Sequence, residues 1–79
     1  MKGFFVIRMK RIVNDKTRYY ILHVSKDLFG NWLLEKIYGS ISNFKPTRIL
    51  RLQFHSKESA FEEFEKCIVL KMKKGYERF

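Results

Sequence analysis

Several features that small proteins often depend on are missing from this chain of 79 residues. There is one cysteine, Cys67, so no disulfide can form within the chain, and a lone thiol fits a reducing compartment. Proline is also single; Pro46 cannot donate to a sheet ladder and marks a loop. No segment approaches the ~18 apolar residues that a membrane-spanning helix needs. The opening Met-Lys-Gly-Phe-Phe-Val-Ile-Arg is too short an apolar run for a signal peptide, and charges interrupt it at once. These absences imply a soluble, intracellular protein, cytoplasmic and within reach of the nucleoid, with no membrane partner.

Signatures of catalysis are missing too. The chain has no Gly-rich phosphate loop, no Gly-x-Ser-x-Gly and no His-Glu-x-x-His. His23 and His55 stand apart, and one cysteine with two scattered histidines makes a poor zinc set. Glu62 and Glu63 are neighbours on a helical stretch and point about 100° apart, so they cannot work as an acid/base pair. The expectation is a non-catalytic protein with no cofactor and no metal.

Acidic residues are scarce: 8 against 17 Lys and Arg, for a net charge of +9. The isoelectric point is about 9.9. On so small a body that charge gives a surface potential that favours polyanions, nucleic acid before acidic protein.

What is plentiful is apolar and aromatic. With 46% hydrophobic residues and eight Phe, the chain can build one compact core, so residues 1–79 read as a single domain. Residues 4–13 alternate, with Phe5, Ile7 and Met9 against Arg8 and Lys10, which predicts a strand. Asn14-Asp15-Lys16 is a turn. Residues 18–25 form a second strand, Tyr20, Leu22 and Val24 facing one way and Tyr19, Ile21 and His23 the other. The two strands are expected to make a hairpin.

Residues 26–30 turn the chain again, with Gly30 and Asn31 placed where a reversal needs positive φ. The strand from Trp32 carries Trp32 and Leu34 on one face and Leu33 and Ile37 on the other, ending at Tyr38-Gly39. Residues 40–47 are a polar loop. Residues 48–54 form a strand with Leu50, Leu52 and Phe54 toward the core and Arg51 and Gln53 outward.

Then the period changes. Ser56 is a candidate N-cap, and Ala60, Phe61, Phe64, Cys67, Ile68 and Met72 recur at helical spacing. Cys67 on that face reads as a small buried hydrophobe. Glutamates gather in the first half of the helix and lysines in the second, complementing its dipole, and Gly75 fits the position after the last turn. The predicted fold class is α+β: a curved antiparallel sheet of four to five strands packed on one C-terminal helix.

The stretch Asp27…Phe29-Gly30-Asn31-Trp32 and the strand end Tyr38-Gly39-Ser40 resemble the core of a WGR domain, a module named for a Trp-Gly-Arg tripeptide. Tyr20-Ile21-Leu22 upstream, then Phe54, Ala60, Phe64, Lys71 and Gly75-Tyr76, extend the likeness over about residues 17–77. The tripeptide departs from the family: the aromatic is kept in kind, the glycine is kept and the arginine is lost. The resemblance implies the same sheet-and-helix architecture.

It also implies a binding role. In DNA-break-dependent poly(ADP-ribose) polymerases the WGR domain holds the end of a duplex; its tryptophan packs on the terminal sugar and basic residues hold phosphates. Carried over, Tyr38 takes the stacking role, Gly39 allows close backbone approach, and Lys71 is a phosphate contact. Ser40 cannot replace the arginine, which needs a planar cationic fork. Cations on strands (Arg8, Lys10, Arg18, Arg48, Arg51) and at the helix end (Lys71, Lys73, Lys74), with Tyr76 among them, suit phosphate pairing plus stacking. The expected partner is DNA, with RNA or an acidic protein as alternatives. The lysines and arginines along the strands oppose edge-to-edge pairing, so a monomer or a weak dimer is expected.

Overall fold

Residues 5–42 and 45–79 are described by the computed structural model. Phe4 of the first expected strand and residues 43–44 of the polar loop lie outside them. The elements are β1 (Phe5–Val13), β2 (Lys16–Lys26), β3 (Trp32–Ser40), β4 (Arg48–Phe54), α1 (Lys57–Lys73) and β5 (Glu77–Arg78). All neighbouring strands are antiparallel, in the order β4-β3-β2-β1-β5. The α+β class and the single C-terminal helix are as the periodicities predicted.

Turn chemistry sets the register. Asn14 and Asp15 have φ of 51° and 66°. These are the two left-handed residues a tight hairpin needs to match the strand twist. Between β2 and β3, the Asp27 carboxylate accepts hydrogen bonds from the Phe29 and Asn31 amides at 2.8 and 2.9 Å. The Asp27 amide donates to the Asn31 carbonyl at 2.8 Å. Gly30 has φ of +85°. Asn31, expected to share that geometry, keeps an ordinary φ because it already resumes the extended chain.

One face of the sheet packs on the helix. Met9, Leu22, Val24 and Leu34 are fully buried there against Ala60, Phe64, Cys67 and Ile68. Trp32 packs at the margin of this core, its ring centroid 6.1 Å from that of Phe61. The inward phase of β4 is right but shallow: Leu50 and Phe54 are half-buried, and Leu52 is 38% exposed. An edge strand has a neighbour on one side only. In the last turn of the helix the inward place belongs to Lys71, whose Nζ lies 4.4 Å from the Tyr20 ring centroid, so Met72 is left exposed.

Two strand cations require correction. Arg18 and Arg48 do not lie on the outward phase. Pairing of Arg11 with Arg18 and of Arg18 with Ser40, and of Tyr20 with Tyr38 and Tyr38 with Arg48, puts them on the helix side. They have the same parity as Tyr20 and Leu50, and sit past the point where apolar residues end.

The helix ends are as expected. Ser56 caps the start, its hydroxyl accepting the Ser59 amide at 3.1 Å. At the other end Gly75 has φ of +100°. The Gly75 amide donates to the Met72 carbonyl (3.1 Å) and the Tyr76 amide to the Lys71 carbonyl (3.0 Å), the two bonds of a Schellman motif. The chain then runs into β5 beside β1, where the Phe79 amide donates to the Arg8 carbonyl at 3.1 Å.

Candidate nucleic-acid interface

At the end of the sheet where β2 begins and β3 stops, three tyrosines meet. Tyr20 is almost fully buried, and Tyr38 stacks on it with centroids 5.4 Å apart and planes 18° from parallel. Tyr76 meets Tyr20 edge-on at 6.0 Å. The strand register delivers Tyr38; the Schellman motif delivers Tyr76 as the second residue beyond the helix cap. Two cations lie against this cluster. Lys71 Nζ is 4.4 Å from the Tyr20 centroid and 5.5 Å from that of Tyr76. Arg11 Cζ lies 5.7 Å from the Tyr76 centroid, while its Nη1 donates to the Lys74 carbonyl at 2.7 Å. Arg11 thus ties the helix end to β1.

In front of the tyrosines lies a cleft of about 370 Å³. The tripeptide residues Tyr38, Gly39 and Ser40 and the helix-end Tyr76, all expected from sequence, line it. Lys16, Arg18 and Tyr19 of β2 complete the wall with Ser42 and Thr47. The Ser40 and Ser42 hydroxyls are 3.0 Å apart.

Of the remaining expected residues, Arg48 is the exposed cross-strand partner of Tyr38, and Lys71 backs the aromatic cluster. Lys73 and Lys74 are exposed at the helix end, outside the cleft lining. Arg51 is apart from all of them. It projects from the opposite sheet face and its Nε donates to Glu35 Oε2 at 2.7 Å, with His23 Nδ1 3.2 Å from the other carboxylate oxygen. The structure therefore separates Arg51 from this constellation.

Gly39 is close-packed by its own chain. A Cβ there would stand 2.8 Å from the Thr47 amide nitrogen and 3.1 Å from Tyr19 Oη. The same Thr47 amide donates to the Tyr38 carbonyl at 2.9 Å, so the return of the β3–β4 loop depends on the bare glycine.

Burial shapes the electrostatics of the cluster. It pulls the Lys71 ammonium below the ordinary lysine value, and neighbouring Lys74 pushes the same way. It raises the Tyr20 hydroxyl to about 12, with smaller contributions from Cys67 and Tyr38. Cys67 is buried, its thiol pushed up by desolvation and its Sγ 3.6 Å from Glu63 Oε2. Glu63 also lies 3.6 Å from Lys36 Nζ, which ties helix to sheet. Among the described residues no group of three His, Cys, Asp or Glu is placed to hold a metal ion, and no helix is long and apolar enough to cross a membrane.

Sequence reasoning missed Arg11 as the clamp, and Lys16, Ser42 and Thr47 as cleft residues; Tyr19 was expected only as a stacking residue for single-stranded RNA. A signal for two of the cations was present. Arg11 continues the apolar phase of Ile7 and Met9, and Arg18 that of Leu22 and Tyr20. A cation at the end of an inward phase marks where core gives way to a polar cleft.

The sequence profile of the family described as WGR domain matches residues 4–79. No match was found among curated proteins or among solved structures.

Proposed function

The chain belongs to the WGR domain family, known in general for nucleic-acid-binding modules, and from that premise we propose a non-catalytic DNA-binding role at duplex ends or nicks. The observation that supports it best is the pairing of Tyr38 and Tyr76 across one cleft edged by Lys16 and Arg18. Its volume falls in the range of ~300–1,000 Å³ usual for small-ligand sites, enough for a terminal sugar and base. Tyrosine faces stack on sugar or base whatever the sequence, and the cations neutralise phosphates. Tyr38 is already fixed by its stacking on Tyr20, so little ordering is needed on binding. Ser40 offers a hydroxyl where the family tripeptide carries arginine, so the chain lacks that bridging fork.

Fluorescence anisotropy tests this with three labelled DNAs: an open 5′-phosphorylated duplex, the same duplex closed by hairpins at both ends, and a single strand. The expected result is tightest binding to the open duplex, with Tyr38→Ala weakening it about tenfold, in line with ~1–3 kcal/mol per stacked base. Preference for the single strand would point to RNA-like recognition. Equal binding to all three, indifferent to Tyr38, would reject the end-binding reading and favour docking of an acidic protein on the basic surface. The missing tripeptide arginine is the feature that favours this second reading.

A further inference from the structure

The turn between β2 and β3 carries two large apolar side chains into solvent: Leu28 is 98% exposed and Phe29 88%. Neither is needed to make the turn. Its geometry comes from the Asp27 carboxylate, the Asp27–Asn31 backbone pair and Gly30, all described above, and polar residues at positions 28 and 29 would serve as well. The backbone of the tip is nonetheless tied down, because the Phe29 amide is itself bonded to Asp27. Two cations flank it: Lys26 and Lys57 each place Nζ 6.0 Å from the centroid of Trp32, the residue that follows the turn. The tip lies far from the tyrosine cleft. Eight steps of the β2–β3 register separate the Arg18–Ser40 pair from Lys26–Trp32, about 26 Å at ~3.3 Å per residue.

We propose that this tip is a second, protein-docking site, which takes an acidic amphipathic helix of a partner protein. Leu28 and Phe29 pack on the helix's apolar stripe, and Lys26 and Lys57 pair with carboxylates bordering it. The hydrogen-bonded backbone of the turn already holds the two side chains out together, so contact costs the ordering of their rotamers but not of the loop. A second copy of this chain is a poor occupant, since each copy carries a net charge of +9. A lipid surface is also poor. Even a full myristoyl chain gives only marginal membrane binding by itself, about 10⁴ M⁻¹, and these two side chains offer fewer apolar carbons. Any hold on an anionic surface would rest on the net charge of +9, which the vesicle control reads. The site is independent of the DNA reading, and places a protein contact at one end of the molecule and the cleft at the other.

Trp32 is the only tryptophan, so its fluorescence reports on the tip without labelling. The probe is a tryptophan-free amphipathic peptide with leucines on one face and glutamates on the other. Its controls are the same peptide with lysine for glutamate, and vesicles of palmitoyl-oleoyl-phosphatidylglycerol. The expected result is a saturable blue shift with the glutamate peptide alone. That shift should be lost in Leu28→Ser/Phe29→Ser and kept in Tyr38→Ala, whose change lies at the other end of the β2–β3 pair. The double variant should melt within a few degrees of the parent, since the turn's hydrogen bonds do not use the replaced side chains. No shift at millimolar peptide overturns the proposal, as does an equal shift from the lysine peptide or from vesicles, or a shift that survives in the double variant.

Discussion

Gly39 is held to glycine by its own neighbours. In Gly39→Ala the new methyl would meet the Thr47 amide nitrogen, which is backbone and cannot swing aside. We expect destabilisation of about 1–3 kcal/mol in urea unfolding, the usual range for overpacking. Wild-type stability in Gly39→Ala would disprove the close packing. Tyr20 gives a second test at this scale. Its hydroxyl sits near 12 in the fold against 10.0 for the free side chain. Above pH 10 the unfolded chain loses this proton while the folded one keeps it, so stability must fall between pH 10 and 12, by on the order of 2 kcal/mol. Lys71 acts oppositely: its folded value is the lower one, so its contribution rises with pH toward the ordinary lysine value. Tyr20→Phe should remove the alkaline loss and leave the Lys71 trend, measured by melting at stepped pH. Tyr38 and Tyr76 were picked out in sequence by the order and spacing of the residues shared with the family, since an aromatic beside glycine alone says little. Arg11 was not, and Arg18 was set on the wrong face, since a strand's charged residues are assigned outward by default and only the register shows where its inward phase outruns the core.

The helix was readable almost to the residue because four independent signals coincide: Ser56, the apolar spacing, the charge gradient and Gly75. The two-residue strand β5 was not, since two residues carry no periodicity, and Glu77–Arg78 is a strand only because Tyr76 aims the chain at β1. The two helix ends also separate stability from binding. Ser56→Ala should cost about 1 kcal/mol through its lost cap and leave DNA affinity unchanged. Gly75→Ala forces a Cβ into left-handed backbone and should cost about 1–2 kcal/mol. It also displaces Tyr76, so DNA binding should weaken as well. Melting curves and anisotropy on both variants check this; equal affinity in the two would show that the Tyr76 wall contributes nothing.

For the molecule as a whole, Lys16, Arg18, Arg48, Lys73 and Lys74 surround one end, and the outward face holds a separate Arg51–Glu35–His23 row. If those five cations each meet a phosphate, log K against log salt should fall with a slope near −4.5, at ~0.9 per contact on duplex DNA. A slope near −1 in a salt series would reject so broad a phosphate footprint. The strand order has one more consequence, and it concerns time. Among themselves strands β1 to β4 pair only with sequence neighbours, and only the β1–β5 pairing spans the chain, so the meander can close through short-range contacts that form fast. Tyr76 joins the cleft only after α1 has docked and turned the chain back toward β1. Until then the cleft lacks a wall, and the buried face of the sheet lacks its cover. On the proposed reading, stacking capacity is therefore acquired last, and a chain whose helix has not yet docked offers charge but no complete stacking site.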